Sequence, residues 1–596
     1  MRRLLRAGTG LRAVALAAWP AATAAAWADY DEECGVHYEQ GQMLTNWSST
    51  HHASPARMYE PKSAQEVVRV LQLHHASRQR VRPVGTALSP NGIGLSTSSA
   101  DNMLSMAGLD YVEVDADRKQ VTVGAGARVS SVLSELNKHG LTLENFSSIQ
   151  EQQVGGWTQV SAHGTGISLP PVDEMVVRLQ LATPTEGLMT LSRTGDADGG
   201  HLFRLAKVGL GSLGVVTELT LACIPKLNLR ETTFVTDRQA VQAGHAQRLR
   251  SHRHVRYMWL PYTDTVVAVV SNPTSAPASA FAPSPSPSPS PFPSPSLAPA
   301  TATGKGQGQG PAVATTAMRQ LLHRLRPQPG GEAALEPLSF SQLRDRLLDV
   351  APLDTEHIKA VNAAEAQYWA ATCGSRVDDS TNILGFDCGG EQLVLEVCIP
   401  CSVGSGAGAG AGADPLASGR DLQFVRRILE AAEKAGIPAP SPIEQRWTAR
   451  STAPLSPAYS PDPAQVFCWV GVIMYLPPGQ SDEARAAIQR RFEAYCDAID
   501  PVCAEFGAKT HWAKIEPRFG DAKALRAQQD RVHAVSASAP ASASASGSGS
   551  EDWLGEFNAM RAALDPHRVL GNKVVDALLD HPDRPARRVD WRDFKR

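Results

Sequence analysis

No apolar run in these 596 residues is long enough to cross a bilayer. The uncharged stretch Ala13 to Ala28 has only 16 residues and is broken by Pro20, and Val466 to Leu476 reads as a strand. A basic excess is missing too: 57 Lys plus Arg against 60 Asp plus Glu leave a formal charge of −3, which excludes nucleic acid as a partner of the whole molecule. Nine cysteines are too sparse and too odd in number for a disulfide framework. Cys398-Ile399-Pro400-Cys401 has redox or zinc spacing, but no second Cys or His pair supports it, so no metal is expected. A phosphate-loop lysine is absent. The run Gly209-Leu210-Gly211-Ser212-Leu213-Gly214 precedes a strand, whereas a nucleotide-binding Rossmann turn follows one, so ATP and nicotinamide are disfavoured.

What is present is glycine placed beside strands. Ser63-Ala64-Gln65-Glu66 reads as a capping box opening a helix to Ser77. The short strand Val81-Arg82-Pro83-Val84 follows, then Gly85-Thr86-Ala87-Leu88-Ser89-Pro90-Asn91-Gly92, a turn whose main-chain amides suit phosphate oxygens. A strand at Val121 to Val123 and a helix ended by Gly140 lead to Gly155-Gly156 and to Ser161-Ala162-His163-Gly164-Thr165-Gly166, where a flat ligand can lie against bare backbone. Val176 to Leu181 and Leu188 to Leu191 read as paired strands, and Val215 to Leu221 as another. Three such clusters within one region indicate one long phosphate-bearing cofactor.

The first 28 residues hold four arginines and no acid, the composition of an organellar presequence, mitochondrial before chloroplast, with a secretory signal as the competing reading. Pro283 to Gly310, Gly404 to Ala413 and Ala534 to Ser550 are Pro, Gly, Ser and Ala tracts that read as surface insertions. Farther on, Tyr257 to Tyr262, Val266 to Val270, Leu393 to Ile399 and Val466 to Leu476 read as strands, and Asp482 to Asp500 as an amphipathic helix. In Pro442-Ile443-Glu444-Gln445-Arg446-Trp447-Thr448, strand alternation sends Glu444 and Arg446 to one side and Gln445 to the other.

At these residues the chain resembles the flavoproteins of the vanillyl-alcohol oxidase type, and within them the aldonolactone oxidoreductases, in particular the dehydrogenase branch of plants and green algae. The likeness lies in Asn46-Trp47-Ser48, Val81 to Leu95, Gln152 to Gly156, Ser161 to Gly166 and Gly209 to Leu221, and runs from about Asn46 to Leu579. It implies an α+β, two-domain flavoprotein: a mitochondrial targeting or pro-segment at 1–45, a PCMH-type FAD-binding domain at 46–228 and an α+β substrate cap at 229–596. The cap would carry insertions near 272–315, 403–419 and 534–550, and Leu564 to Asn572 resembles the motif with which the chain returns to the flavin domain. The resemblance sets FAD against Pro83, Val84, Gly85, Thr86, Ala87, Leu88, Ser89, Asn91, Gly92, Ser147, Gly155, Gly156, Ser161, His163, Gly164, Thr165, Gly166, Gly214, Val215 and Val216. Relatives that bind FAD covalently use a histidine where this chain has Leu88, so non-covalent FAD is expected; His163 is the substitute attachment point to consider.

Further implications concern chemistry. Glu444 and Arg446 are assigned to lactone binding and catalysis, with His511 and Lys514 of His511-Trp512-Ala513-Lys514 near the flavin edge. A base takes the hydroxyl proton as hydride leaves, and a fixed guanidinium stabilises the charge developing on the flavin. The implied reaction is oxidation of L-galactono-1,4-lactone to L-ascorbate with cytochrome c as acceptor, at the mitochondrial inner membrane or intermembrane space. An oxygen-using oxidase and an added role in assembling respiratory complex I are the alternatives. Plant members carry alanine where Ser147 stands, a position held to shield the flavin from dioxygen, and Cys388 aligns with an oxidation-sensitive cysteine.

Overall fold

The computed structural model describes residues 29–194, 200–282, 314–327, 329–385, 389–402, 414, 416–534 and 552–581. The presequence reading, Cys388 and the bodies of the three low-complexity tracts lie outside the described residues. Among those described, no helix is long and apolar enough to cross a membrane.

The architecture is α+β. One five-stranded sheet runs Asp29–Asp31, Val36–Glu39, Met58–Tyr59, Asn102–Ser105, Val81–Val84, and Asn102–Ser105 is parallel to both its neighbours. Its first two strands fall inside the 1–45 stretch and pair into this sheet. Asp31 pins them: its carboxylate accepts from the amides of Glu33 and Cys34 and from Tyr59 Oη at 2.9 Å, and pairs with Arg57 at 2.7 Å. A second, antiparallel sheet runs Gly187–Ser192, Val176–Thr183, Val215–Ala222, Gln120–Gly124, Val112–Asp115.

The helix Ala64–Ser77 buries Val67, Val70 and Leu71 in the core shared by both sheets. Ser63 caps it by accepting from the Glu66 amide at 3.2 Å, but Glu66 accepts from the Lys62 amide at 2.6 Å instead of returning to Ser63, so the capping box is not closed.

The C-terminal stretch joins this same core through Leu554, Phe557, Val575 and Leu578. Asp565 accepts from the amides of Val569 and Leu570, each at 2.8 Å, which shapes the turn whose Val569 carbonyl receives the Val81 amide at 2.9 Å. Asn572 Nδ2 then donates to the carbonyls of Gly92, Ile93 and Leu95. Arg82, 4% exposed, ties three segments together by donating to the carbonyls of Ile93, Leu210, Gly211 and Leu570.

Besides two short two-stranded pairings, Leu44–Thr45 with His52–Ala53 and Leu141–Thr142 with Ile224–Pro225, a nine-stranded antiparallel sheet runs in the order Ser279–Ala282, Gly374–Asp379, Asn228–Asp237, Thr265–Thr274, His254–Trp259, Ile443–Ala449, Val466–Tyr475, Gln392–Pro400, Lys509–Thr510. The strand read as continuing to Tyr262 ends at Trp259, since Tyr262 turns the chain at φ 61°. Helices Arg420–Lys434 and Asp482–Glu505 share one apolar core with Ile443, Trp447 and Val470 of this sheet, through Val425, Ile428, Ile488 and Tyr495. Strand alternation leaves the intervening residues, Glu444 and Arg446 among them, on the other face.

Candidate active site

Two clefts meet at the seam between the two halves. The first is walled by Pro83 to Ser89, Asn91, Gly155, Gly156, Val215 and Val216, all expected from sequence. Asn46, Arg82, Gln152, Gln153, Trp157, Leu210 and Gly211 are among its other walls and were not expected as cofactor contacts. None of the amides of Gly85 to Ser89 donates to a protein acceptor among the described residues, and Ala87 takes φ 52°, so the turn presents donors to the cleft. At Gly156 an added Cβ meets nothing within 4 Å, which leaves bare main chain on the wall, whereas at Gly85 it would come within 2.6 Å of Gln153 Oε1. Amide donors without acceptors and bare backbone fit a phosphate-bearing flavin nucleotide.

The second cleft shares Leu88, Ser89 and Gln152 with the first. It holds Glu444, Arg446, His511 and Lys514, together with Ser147 and His163. The sequence His511-Trp512-Ala513-Lys514 reaches it because the His511 amide donates to the Glu396 carbonyl at 2.9 Å, and Asn91 Nδ2 donates to the carbonyls of Trp512 and Ile515. The flavin-side turn is therefore strapped to the cap segment.

Charges alternate along the cleft. Arg256 lies 3.6 Å from Glu444 Oε1, Arg446 Nε lies 3.3 Å from Glu444 Oε2, and the far nitrogen of Arg446 donates to Glu396 Oε1 at 2.5 Å. His163 Nε2 is 3.2 Å from the same Glu396 oxygen but without hydrogen-bond alignment. Its Nδ1 is bonded to the Gly164 carbonyl at 3.0 Å and its ring stacks on Trp469 at 3.8 Å. Burial pushes the Glu396 carboxyl up, but the Arg446 guanidinium outweighs this and holds it well below the usual range. Burial holds His163 low, and pushes His511 down to about 3, so both rings are neutral near pH 7. His163, Glu396 and His511 offer three ligand atoms within 4.8 Å, but a cation there would sit against the Arg446 guanidinium.

Several expected cofactor residues stand elsewhere. Gly92 lies against His51, where an added Cβ would be 3.0 Å from the ring. Ser161 is fully buried, donates to Asp173 Oδ1 at 2.7 Å and bonds the Ser456 hydroxyl, which makes it a joint inside the fold. Gly164 and Thr165 border a smaller hollow with His254 and Arg446, while the Gly166 amide donates to the Trp447 carbonyl at 2.6 Å. An added Cβ at Gly214 would strike Leu181 at 2.6 Å, so this glycine serves strand packing. Ser147, in the second cleft, donates its hydroxyl to Gln152 Oε1 at 2.5 Å and receives Trp157 Nε1 at 3.0 Å. Glu396 and Gly471 were missed although each carries a signal: one charge in the apolar run Leu393 to Ile399, and one glycine inside Val466–Tyr475.

Residues 55–192 match the family model described as FAD binding domain, and residues 413–578 that of D-arabinono-1,4-lactone oxidase. The chain is 39% identical over 549 residues to the mitochondrial L-galactono-1,4-lactone dehydrogenase of Arabidopsis thaliana, covering 91% of this chain and 82% of that protein. It belongs to the L-galactono-1,4-lactone dehydrogenase family. The L-galactono-1,4-lactone dehydrogenase 2 of Oryza sativa subsp. japonica, also named mitochondrial, is 39% identical over 90% of this chain and 83% of its own length. The L-gulonolactone oxidase of Bos taurus is 32% identical over 41% of this chain and 54% of its own. Among solved structures, a solvent-stable cholesterol oxidase superposes with a TM-score of 0.65 at 17% identity, over 92% of this chain and all of that one, which shows a shared fold. The cholesterol oxidase of Brevibacterium sterolicum does so at 0.61 and 16% identity, covering 91% and 98%. This member of the dehydrogenase family is an FAD-linked aldonolactone oxidoreductase.

Proposed function

We propose that the protein oxidises L-galactono-1,4-lactone to L-ascorbate in the mitochondrion, with FAD held non-covalently and cytochrome c taking the electrons. One observation carries the reading: Glu444 and Arg446, ion-paired on one sheet face, stand in a cleft that opens at Leu88 and Gln152 into the amide-lined cleft of the flavin half. FAD, when bound, supplies the two-electron oxidant for C2 of the lactone. Loss of the C2 hydrogen with its electron pair requires the 2-hydroxyl proton to leave as well, and the Glu444 carboxylate accepts it. The resulting 2-keto lactone tautomerises to the enediol, ascorbate. Arg446 and Lys514 hold fixed positive charge against the negative charge the oxidation develops. His511 accepts the Ala513 amide on Nδ1 at 3.1 Å, which leaves its proton on Nε2 to hydrogen-bond a substrate oxygen.

Non-covalent FAD is supported by Leu88 on the cleft wall and by His163, whose Nδ1 is bonded to Gly164 and whose Nε2 faces Glu396. The names of the plant relatives and the arginine-rich, acid-free start of the chain support the mitochondrial address. The test is a flavin spectrum before and after acid precipitation, followed by lactone-dependent reduction of cytochrome c. Flavin in the supernatant and galactonolactone-driven reduction are expected. Oxygen consumption without cytochrome c would make it an oxidase instead, and flavin in the pellet would refute non-covalent binding. The complex I role is tested by Glu444→Ala with Arg446→Ala in cells: if assembly persists while lactone oxidation is lost, the two functions coexist.

A further inference from the structure

The strand Val466–Tyr475 lies between the strands bearing Glu396 and Glu444, and its register sets Gly471 opposite both. Residues directly opposite across neighbouring strands share a face, so a side chain at 471 would stand in the cleft between the two carboxylates. Glycine has none, and an added Cβ there meets nothing within 4 Å. Through that gap the Arg446 guanidinium spans the middle strand: Nε remains 3.3 Å from Glu444 while the far nitrogen donates to Glu396 at 2.5 Å. Arg446 is thus held at both ends, with side-chain exposures of 12% for itself and 7% for Glu396.

We propose that Glu396, reached across Gly471, is the positioning residue that fixes the Arg446 guanidinium and sets how much of its positive charge the flavin experiences. The inference rests on the proposed reading of this cleft as the lactone site. A guanidinium tethered by one carboxylate alone swings about its side-chain torsions; a second carboxylate at the opposite end removes that freedom and leaves the charge preorganised. Glu396 also faces His163 and, through its own carbonyl, supports the His511 amide, so one residue coordinates three polar groups of the cleft. Partial neutralisation of Arg446 follows from the same contact.

The test uses the full-length FAD-loaded enzyme with Glu396→Gln, Glu396→Leu and Arg446→Ala, reading lactone-driven flavin reduction in single turnovers, lactone Kd and flavin midpoint potential. Glu396→Leu should slow reduction by about 10²-fold, the scale for losing one preorganised charge-stabilising group, while lactone Kd changes less than about threefold. Glu396→Gln keeps a carbonyl for Arg446 and should retain most of the rate, but its midpoint potential should rise because the guanidinium is no longer neutralised. Retention of FAD in both variants reports the fold; if Glu396→Leu does not retain it, the raised potential of Glu396→Gln decides alone. A native rate in Glu396→Leu, or a native potential in Glu396→Gln, overturns the inference. The Arg446→Ala arm separates the two levels: slow reduction there with an undisturbed Glu396→Leu removes only the positioning role, whereas native reduction in Arg446→Ala removes the lactone-site reading itself.

Discussion

Acid should loosen the seam between the halves at one histidine. His254 is 3% exposed and its Nδ1 is bonded to the Thr165 carbonyl at 2.8 Å, across the junction of the flavin half and the cap sheet. Burial pushes its pKa from 6.5 down to about 4; the Thr165 bond opposes the shift and Arg253 reinforces it. A base depressed in the fold stays neutral there while the unfolded chain takes up a proton. Its stabilising difference is therefore intact above pH 6.5 and is lost as pH falls toward 4. The ratio of protonation terms at pH 5 amounts to about 2 kcal/mol, rising to about 3 kcal/mol at pH 4. His254→Gln preserves a donor for the Thr165 carbonyl and cannot titrate. Urea unfolding followed by flavin fluorescence, at pH 7.5 and pH 5, should show the variant gaining about 2 kcal/mol on the wild type between the two conditions. Groups that titrate alike in both proteins cancel in that difference. A gap between variant and wild type that stays constant across the two pH values would refute the argument.

Three further outcomes are expected. Gly85→Ala would force the Gln153 side chain, whose Oε1 would lie 2.6 Å from the new Cβ, into the first cleft; FAD content on purification should fall while the apoprotein remains folded by circular dichroism. Asn572→Ala removes the donor to the carbonyls of Gly92, Ile93 and Leu95 and the cap on the Val575 amide, and should cost about 2–4 kcal/mol in denaturant unfolding. Ser147→Gly deletes the group lodged between Gln152 and Trp157, and an oxygen electrode should record faster lactone-dependent oxygen uptake than in the wild type; an unchanged rate would separate Ser147 from oxygen exclusion.

Local pattern and tertiary structure contributed differently. Strands at Val81–Val84, Val176–Thr183, Val215–Ala222 and Val466–Tyr475 were legible because hydrophobic patterning and bounding turns lie within a few residues of each other. The same period put Glu444 and Arg446 on one face and Gln445 on the other, where Gln445 accepts from Trp259 Nε1 and donates to the Asp421 carbonyl. A run of glycines announces close approach but does not say to what. Gly156 borders the cleft, while Gly166 and Gly214 admit neighbouring main chain and Leu181. The pairing of Asp29–Asp31 and Val36–Glu39 was masked by their proximity to a presequence-like start.

The amino-acid sequence by itself determined which short segments become strands, where the chain turns, and which side of each strand a charged residue occupies, since these follow from torsional and hydrophobic preferences over a few neighbours. Tertiary structure alone decided that Glu396 and Arg446 meet across Gly471, and that the turn at Asn91 is strapped to Trp512 and Ile515. Those contacts depend on the register between strands and loops far apart in the chain. Register is set by how whole faces pack together, a condition no local window contains.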